Sequence, residues 1–493
     1  MENWRLFKLQ YEKPIIILLF IIALVRLFVF SAAFPFFNNV DEQMHFDLAV
    51  KYARGYLPSK NYPYYFDRES IKYIARYGTP EYFNRINLPP KFKKTPEMEA
   101  ITTNDFLSSE NHELFSPPMY YVLAGIWYKA GKYLGIDGGH LLYWIRFLNI
   151  PIYCLLLRAS YLFCRFIDPD DVNLRLGVTL LLAFIPQDVF YSINSDVLSP
   201  LCFLISLFML IKIYASDRSL WFHGITGFMV AATVLVKLSN LPVLVVFFIM
   251  FIALTMKYRA TKQGAARLPH LFTLLASASI PLIVWGGFNY YYLGDVTGTA
   301  SKIDALGWQV KPFGQIWDHP IFTVNGGYYF ISNLIKTFWR GEFVWHLERI
   351  KSEGADILYA TSSVIFYLIG LKAILMKKAS PPAWQRLPYA VVAVVPLLFF
   401  FYLAFLSIRY DFGDCQYPSK ELPYFVSGRL ILASLIPFLS VYVKGAESIT
   451  AKISQRIDPV VIIAVIALYS LYSEIAITLE RGVFVSPFNF FHL

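Results

Sequence analysis

The sequence predicts an all-α polytopic membrane protein, and three observations carry that expectation. The chain has 493 residues, of which 57% are hydrophobic and only 16% charged, where a soluble domain would hold about a quarter of its residues as charges. Apolar runs close to the ~20 residues that span a bilayer recur throughout. The basic surplus, net +10, falls mostly in short loops between those runs, where it acts as a topology signal and not as a nucleic-acid footprint.

The spans read from the N-terminus are 14–34, 141–165, 174–193, 197–214, 221–238, 240–256, 270–292, 356–376, 387–408, 424–443 and 458–478, about eleven helices. The first is too long for the core of a secretory leader and no small-residue cleavage site follows it, so no cleaved leader is expected. Three basic loops, around Lys257 to Arg267, Lys377 to Arg386 and Lys444 to Arg456, should share the cytoplasmic side with Arg5, Lys8 and Lys13. The apolar stretch from Ser116-Pro-Pro-Met-Tyr-Tyr to Lys129 breaks that parity if counted as a span. Laid flat in the interface, with prolines in its first turn, it restores it. The opposite face then receives loops 35–140, 193–197, 293–355 and 409–423. The first of these, about a hundred residues, is too long to be an idle connector.

Directly after the first span stand Asp41 and Glu42, with His45. Adjacent carboxylates where a helix leaves the membrane suggest a proton acceptor for an amphiphilic substrate. Asp41 and His45 share a face of any helix begun there; the bland alternative is that Asp41 only caps that helix. Ser192-Ile-Asn194-Ser-Asp196, between two apolar runs, reads either as a polar turn or as a second acidic position. Arg429, in Ser427-Gly-Arg429 at a span's outer end, needs an anion or a route to water; a lipid headgroup and a bidentate lipid-linked phosphate both qualify. Thr337-Phe-Trp339-Arg340-Gly-Glu342-Phe-Val-Trp345 reads as an aromatic belt with a local Arg340–Glu342 pair, and Lys336, Arg340 and Arg146 are further candidates for phosphate contact. The aromatic run Tyr62-Pro-Tyr64-Tyr65-Phe66 offers flat faces for sugar rings or an interfacial cover. Cys154, Cys164, Cys202 and Cys415 form no disulfide framework or metal-ligand spacing. No phosphate loop or soluble nucleotide-binding segment is evident, which argues against direct use of nucleotide sugars.

Taken together, these segments resemble the polyprenyl-phosphate-sugar-dependent glycosyltransferases of the GT-C fold, most of all the bacterial mannosyltransferase-like and aminoarabinose-transferase-like superfamily. The match rests on Asp41-Glu42 with a helix ending in Arg54-Gly55, on Ser116-Pro-Pro-Met-Tyr-Tyr, on Ile145-Arg146-Phe-Leu-Asn149, and on Ile185-Pro-Gln with Ser192-Ile-Asn-Ser-Asp196. Ser427-Gly-Arg429 adds a weaker fifth element. About the first 215 residues follow the pattern and the rest follows by topology.

The resemblance implies a GT-C-like catalytic module over 1–292 and a variable transmembrane module over 293–493. It implies Asp41 as general base on an acceptor hydroxyl, with Glu42 beside it and Asp196 in support. His45, Arg146, Lys336, Arg340 and Arg429 would bind substrate. Where many members carry a charged residue before the Pro-Pro, this chain has Phe115-Ser116, with His112 and Glu113 close enough to substitute. The implied donor is a polyprenyl-phosphate-linked sugar and the acceptor a glycan or lipid-linked glycan, such as an O-antigen repeat. Serotype-modifying glucosyltransferases are one such group. The implied setting is the bacterial inner membrane with the site facing the periplasm, with no nucleic-acid partner. No cofactor is required, while a divalent cation on Asp41 and Asp196 is the alternative. A transporter or lipid flippase is the rival from another class, and a ligase or polymerase of diphosphate-linked glycans a second.

Overall fold

The computed structural model describes residues 2–38, 41–56, 65–78, 95–260, 264–345, 348–376, 383–413, 415, 417–454, 457–485 and 489–492. Among these, nine helical segments are long and apolar enough to cross a membrane, and two shorter apolar helices accompany them. Together they fall on the eleven expected spans. In chain order the helices are α1 (Glu2–Ala33), α2 (Glu42–Ala53), α3 (Arg68–Tyr77), α4 (Pro96–Leu107), α5 (Met119–Tyr133), α6 (Gly138–Arg146), α7 (Asn149–Ile167), α8 (Val172–Phe184), α9 (Ser199–Ala215) and α10 (Leu220–Val236). There follow α11 (Pro242–Arg259), α12 (Leu268–Leu293), α13 (Thr299–Ala305), α14 (Val324–Arg340), α15 (Glu353–Leu375), α16 (Ala383–Arg409), α17 (Leu435–Ile453) and α18 (Pro459–Glu480). The described strands are two-residue pairs.

The helices α2 to α5 fill the long first loop. Asp67 and Thr95 start α3 and α4 by accepting the backbone N–H groups of Glu69 and Met98, which supplies orphan donors with partners. The 116–134 stretch folds as α5, fifteen residues long and short of a span. It lies against α2 at very close range, because a Cβ on Gly125 would meet the Ala53 backbone nitrogen at 2.8 Å. The aromatic run at 62–66 lies outside the described residues up to Tyr64.

Two expected spans are corrected in detail. The run 174–193 is helical only to Phe184 and then turns through two 3-10 segments, Asp188–Tyr191 and Ser195–Leu198. Pro186 cannot donate to the helix ladder, and the apolar Val189-Phe-Tyr that follows hides the break from a hydropathy reading. Irregular backbone at this depth survives only if protein satisfies it. Arg26 on α1 donates to the Ala183 and Ile185 carbonyls, and reaches the Tyr191 hydroxyl and the Glu474 carboxylate of α18, both at 2.6 Å. Asn149 donates to the Phe190 and Ser192 carbonyls at 3.1 and 2.7 Å, and Gln187 to those of Thr337 and Phe338 at 2.9 and 2.8 Å.

The second correction concerns 424–443. This stretch enters as a 3-10 segment, Gly428–Ser434, before α17 begins at Leu435. Gly428 lies against α14, and a Cβ there would sit 2.0 Å from the Phe338 nitrogen. The consequence is that residues 185–198, fully enclosed, and 424–434, mostly enclosed, both bring irregular backbone toward α14 and the start of α2.

Candidate active site

Asp41 is the residue on which the site turns. It precedes α2 with φ +64°, in the left-handed region, and its side chain makes no capping bond; the capping alternative is thereby corrected. Aspartate tolerates this conformation better than most residues, yet it remains an uncommon one. The carboxylate is turned instead to Arg429, whose Nη2 donates to Asp41 Oδ2 at 2.7 Å. Burial pushes the Asp41 carboxyl up, and Arg429, with Lys302 and His45 adding to it, holds it below the usual carboxylate range.

Arg429 is the hub. Its Nε donates to Ser427 Oγ at 3.2 Å, its Nη1 lies 3.6 Å from Asp196 Oδ2, and Glu342 Oε2 is 4.0 Å from Nε. Ser427 in turn donates to Glu342. Asp196 also accepts from Lys237 Nζ at 2.6 Å, so the polar turn holds its acidic residue between two cations. Asn194 caps that turn through the Asp196 N–H at 2.9 Å. Asp188, enclosed behind these groups, accepts the Glu342 backbone N–H at 2.7 Å. Asp196 Oδ1 and Arg429 Nη1 are buried without a hydrogen-bond partner among the described residues, the condition of groups that a ligand can still satisfy.

Beside this hub, Glu113 takes a hydrogen bond from Ser116 and an ion pair from Lys302. Burial raises the Glu113 carboxyl, but Lys302 and its neighbours bring it well below the usual range. A cavity of about 350 Å³ opens here, lined by His112, Glu113, Lys237 and Lys302 on one side and by aromatic groups including Trp308 and Phe425 on the other. Apolar and aromatic walls with a few convergent charges are the general form of a ligand pocket. His45 is buried within the field of Glu113 and Asp41 but does not line the cavity. Its Nδ1 is 2.7 Å from the Tyr121 hydroxyl and its Nε2 is buried without a partner. Burial brings its pKa down to about 4, which keeps the ring neutral near pH 7.

The remaining expected site residues go elsewhere. Glu42 is fully enclosed and receives a bidentate Arg146 pair at 2.7 and 2.7 Å, with the Phe37 and Ile193 N–H groups at 2.8 and 2.9 Å. Arg146 spends its other donors on the Ser31, Phe34 and Pro35 carbonyls. Glu42 and Arg146 are thus spent on one another and on backbone groups, and together they bolt the first loop to α6. Arg340 pairs not with Glu342 but bidentately with Asp356 at 2.7 and 3.2 Å, which corrects the local pair and takes Arg340 away from the cavity. Lys336 is half-buried on α14 and joins none of the described contacts of the hub.

The sequence reading passed over Lys237, Asp188 and Lys302, and quoted Ser427 and Glu342 without giving either a place in the site. A lysine alone between two apolar runs, as Lys237 is, is costly enough to have been a signal. Of the two carboxylates expected to serve a divalent cation, Asp41 faces Arg429 and Asp196 faces Lys237.

The family model for "Predicted membrane protein (DUF2142)" matches residues 23–410. The chain belongs to that family. No curated protein matches the sequence. Among solved structures, the Archaeoglobus fulgidus oligosaccharyltransferase complex with Zn and sulfate is similar at 12% identity and a TM-score of 0.43, over 94% of this chain and 53% of that one. The chain thus spans about half the length of that relative. ArnT from Cupriavidus metallidurans bound to undecaprenyl phosphate aligns over 94% of this chain and 88% of that one, at 12% identity and a TM-score of 0.33. Its apo form gives 11% identity and the same score.

Proposed function

We propose that the protein is an integral-membrane glycosyltransferase of the GT-C type that moves a sugar from a polyprenyl-phosphate donor to an acceptor hydroxyl, at the outer face of a bacterial inner membrane. The observation that carries this reading is Asp41, held off its capping role in a left-handed backbone, paired with Arg429, and within the field of Glu113 and Lys302, which line a charged and aromatic cavity. The acceptor is a glycan or lipid-linked glycan, for which the aromatic wall of Trp308 and Phe425 offers sugar-stacking faces.

In this reaction the acceptor oxygen attacks the anomeric carbon while the bond from that carbon to the phosphate oxygen breaks. The acceptor proton passes to Asp41 and the electron pair leaves with the polyprenyl phosphate. A single displacement of this kind inverts the anomeric centre. The departing phosphate, arriving beside Arg429, Lys237 and Lys302, competes with the carboxylates for those cations. That competition loosens Arg429 from Asp41 and returns basicity to the carboxylate at the moment a base is needed. Asp196 then serves to position Arg429 and Lys237.

The test is transfer of radiolabelled sugar from a panel of polyprenyl-phosphate sugars to membrane glycan, wild type against Asp41→Asn. Transfer that disappears in the variant supports the reading and identifies the donor. Undiminished transfer by Asp41→Asn removes Asp41 from catalysis. Lipid or sugar flux across proteoliposomes with no transfer from any donor moves the protein to the transporter class.

A further inference from the structure

A second charged cleft lies away from the Asp41 hub, at the other end of α2. Its volume is about 540 Å³, and five cations, Arg54, Arg68, Lys72, Arg76 and Lys132, face two carboxylates, Glu69 and Asp137. Both carboxylates are already committed. Glu69 accepts from the Tyr128 hydroxyl at 2.6 Å and pairs with Arg54 and, at 3.4 Å, with Lys132. Asp137 accepts from the Tyr73 hydroxyl at 2.7 Å and from Lys132 at 3.2 Å. Arg54 and Lys132 are therefore paired within the cleft. The other three cations are not matched in this way. Arg68, Lys72 and Arg76 recur every fourth residue on α3, all exposed, while Ile71, Tyr73 and Ile74 turn inward. No described carboxylate pairs with any of the three.

A stripe of unpaired cations on an amphipathic helix in the layer over a membrane attracts phosphate groups. We infer that this cleft binds an anionic phosphate group, the headgroup of an anionic phospholipid or an equivalent soluble phosphate. The α2 helix is twelve residues long, so the cleft lies roughly 18 Å from Asp41 at 1.5 Å per residue. It is thus separate from the phosphate-facing cations of the hub and independent of the transfer reading.

The test uses the full chain in detergent, titrated with phosphatidylglycerol and, as control, phosphatidylcholine, with bound lipid counted by native mass spectrometry. The wild type is expected to prefer phosphatidylglycerol, and the triple variant Arg68→Gln, Lys72→Gln, Arg76→Gln to bind it about a hundred-fold more weakly, from the usual contribution of each basic residue at an anionic surface. These side chains are exposed, so the fold should survive, and Arg68→Lys with Arg76→Lys should keep the preference because the charge is kept. Millimolar inorganic phosphate that displaces the lipid identifies the soluble source; lipid that persists identifies the headgroup. Equal binding by wild type and triple variant, or no preference in the wild type, overturns the inference. Asp41→Asn should leave the preference intact, which separates failure here from failure of the transferase reading.

Discussion

Asp41 and Glu42 are neighbours in the chain and opposites in the fold. Glu42 is enclosed, held bidentately by Arg146 and capped by two backbone N–H groups. Asp41 is half-buried, sits in a strained backbone conformation and shares a single arginine with Asp196 and Glu342. Complete satisfaction is what a structural ion pair needs, because a buried charge without partners is expensive. Incomplete satisfaction is what a reacting group needs, because a substrate must be able to improve on the resting contacts. The comparison teaches that adjacency to a reactive carboxylate says nothing about a residue's own role.

The largest expected effect separates the two directly. Asp41→Asn should lower transfer by about 10²–10⁴-fold, the usual worth of a general base, with a thermal transition close to that of the wild type. Glu42→Gln should do the reverse in kind: it strands Arg146 and costs about 3–5 kcal/mol of stability, read as a lowered melting transition in detergent. Loss of activity without loss of stability in Glu42→Gln would break the comparison.

The pH dependence sharpens it. The folded pKa of Asp41 lies below its unfolded value of about 3.9. The Asp41–Arg429 contribution is therefore present above that value and lost as pH falls through the folded pKa. The acid limb of the activity profile in the free enzyme should sit below the normal carboxylate range, and Arg429→Gln should move it upward.

The smallest effect is at Arg340. Its partner Asp356 starts α15 and neither residue lines the cavity, so Arg340→Lys should leave kcat/KM within about three-fold while lowering the thermal transition, because lysine cannot replace a largely buried bidentate pair. A larger loss would return Arg340 to phosphate binding.

Much of the fold was legible in the sequence. All eleven apolar runs carry helices, and charge parity keeps 116–134 out of that set, in line with the fifteen residues of α5. The helix breaks at Pro186 and Gly428 were not legible from hydropathy, because the residues after them are as apolar as those before. Three site residues, Asp41, Asp196 and Arg429, stood out singly through the cost of charge near a membrane. Their meeting in one cluster did not, since 388 positions separate the Asp41 and Arg429 partners.

The sequence by itself determined the class of the molecule, the number of its apolar spans and the sparse set of charges close to them, because hydrophobic length and net charge are local and additive properties. Only the tertiary structure decided which of those charges are spent on one another. Pairing depends on which side chains the packed helices bring within about 3 Å. That is why Glu42 and Arg340, conspicuous in the chain, close upon Arg146 and Asp356, while Lys237 and Glu342 join the hub.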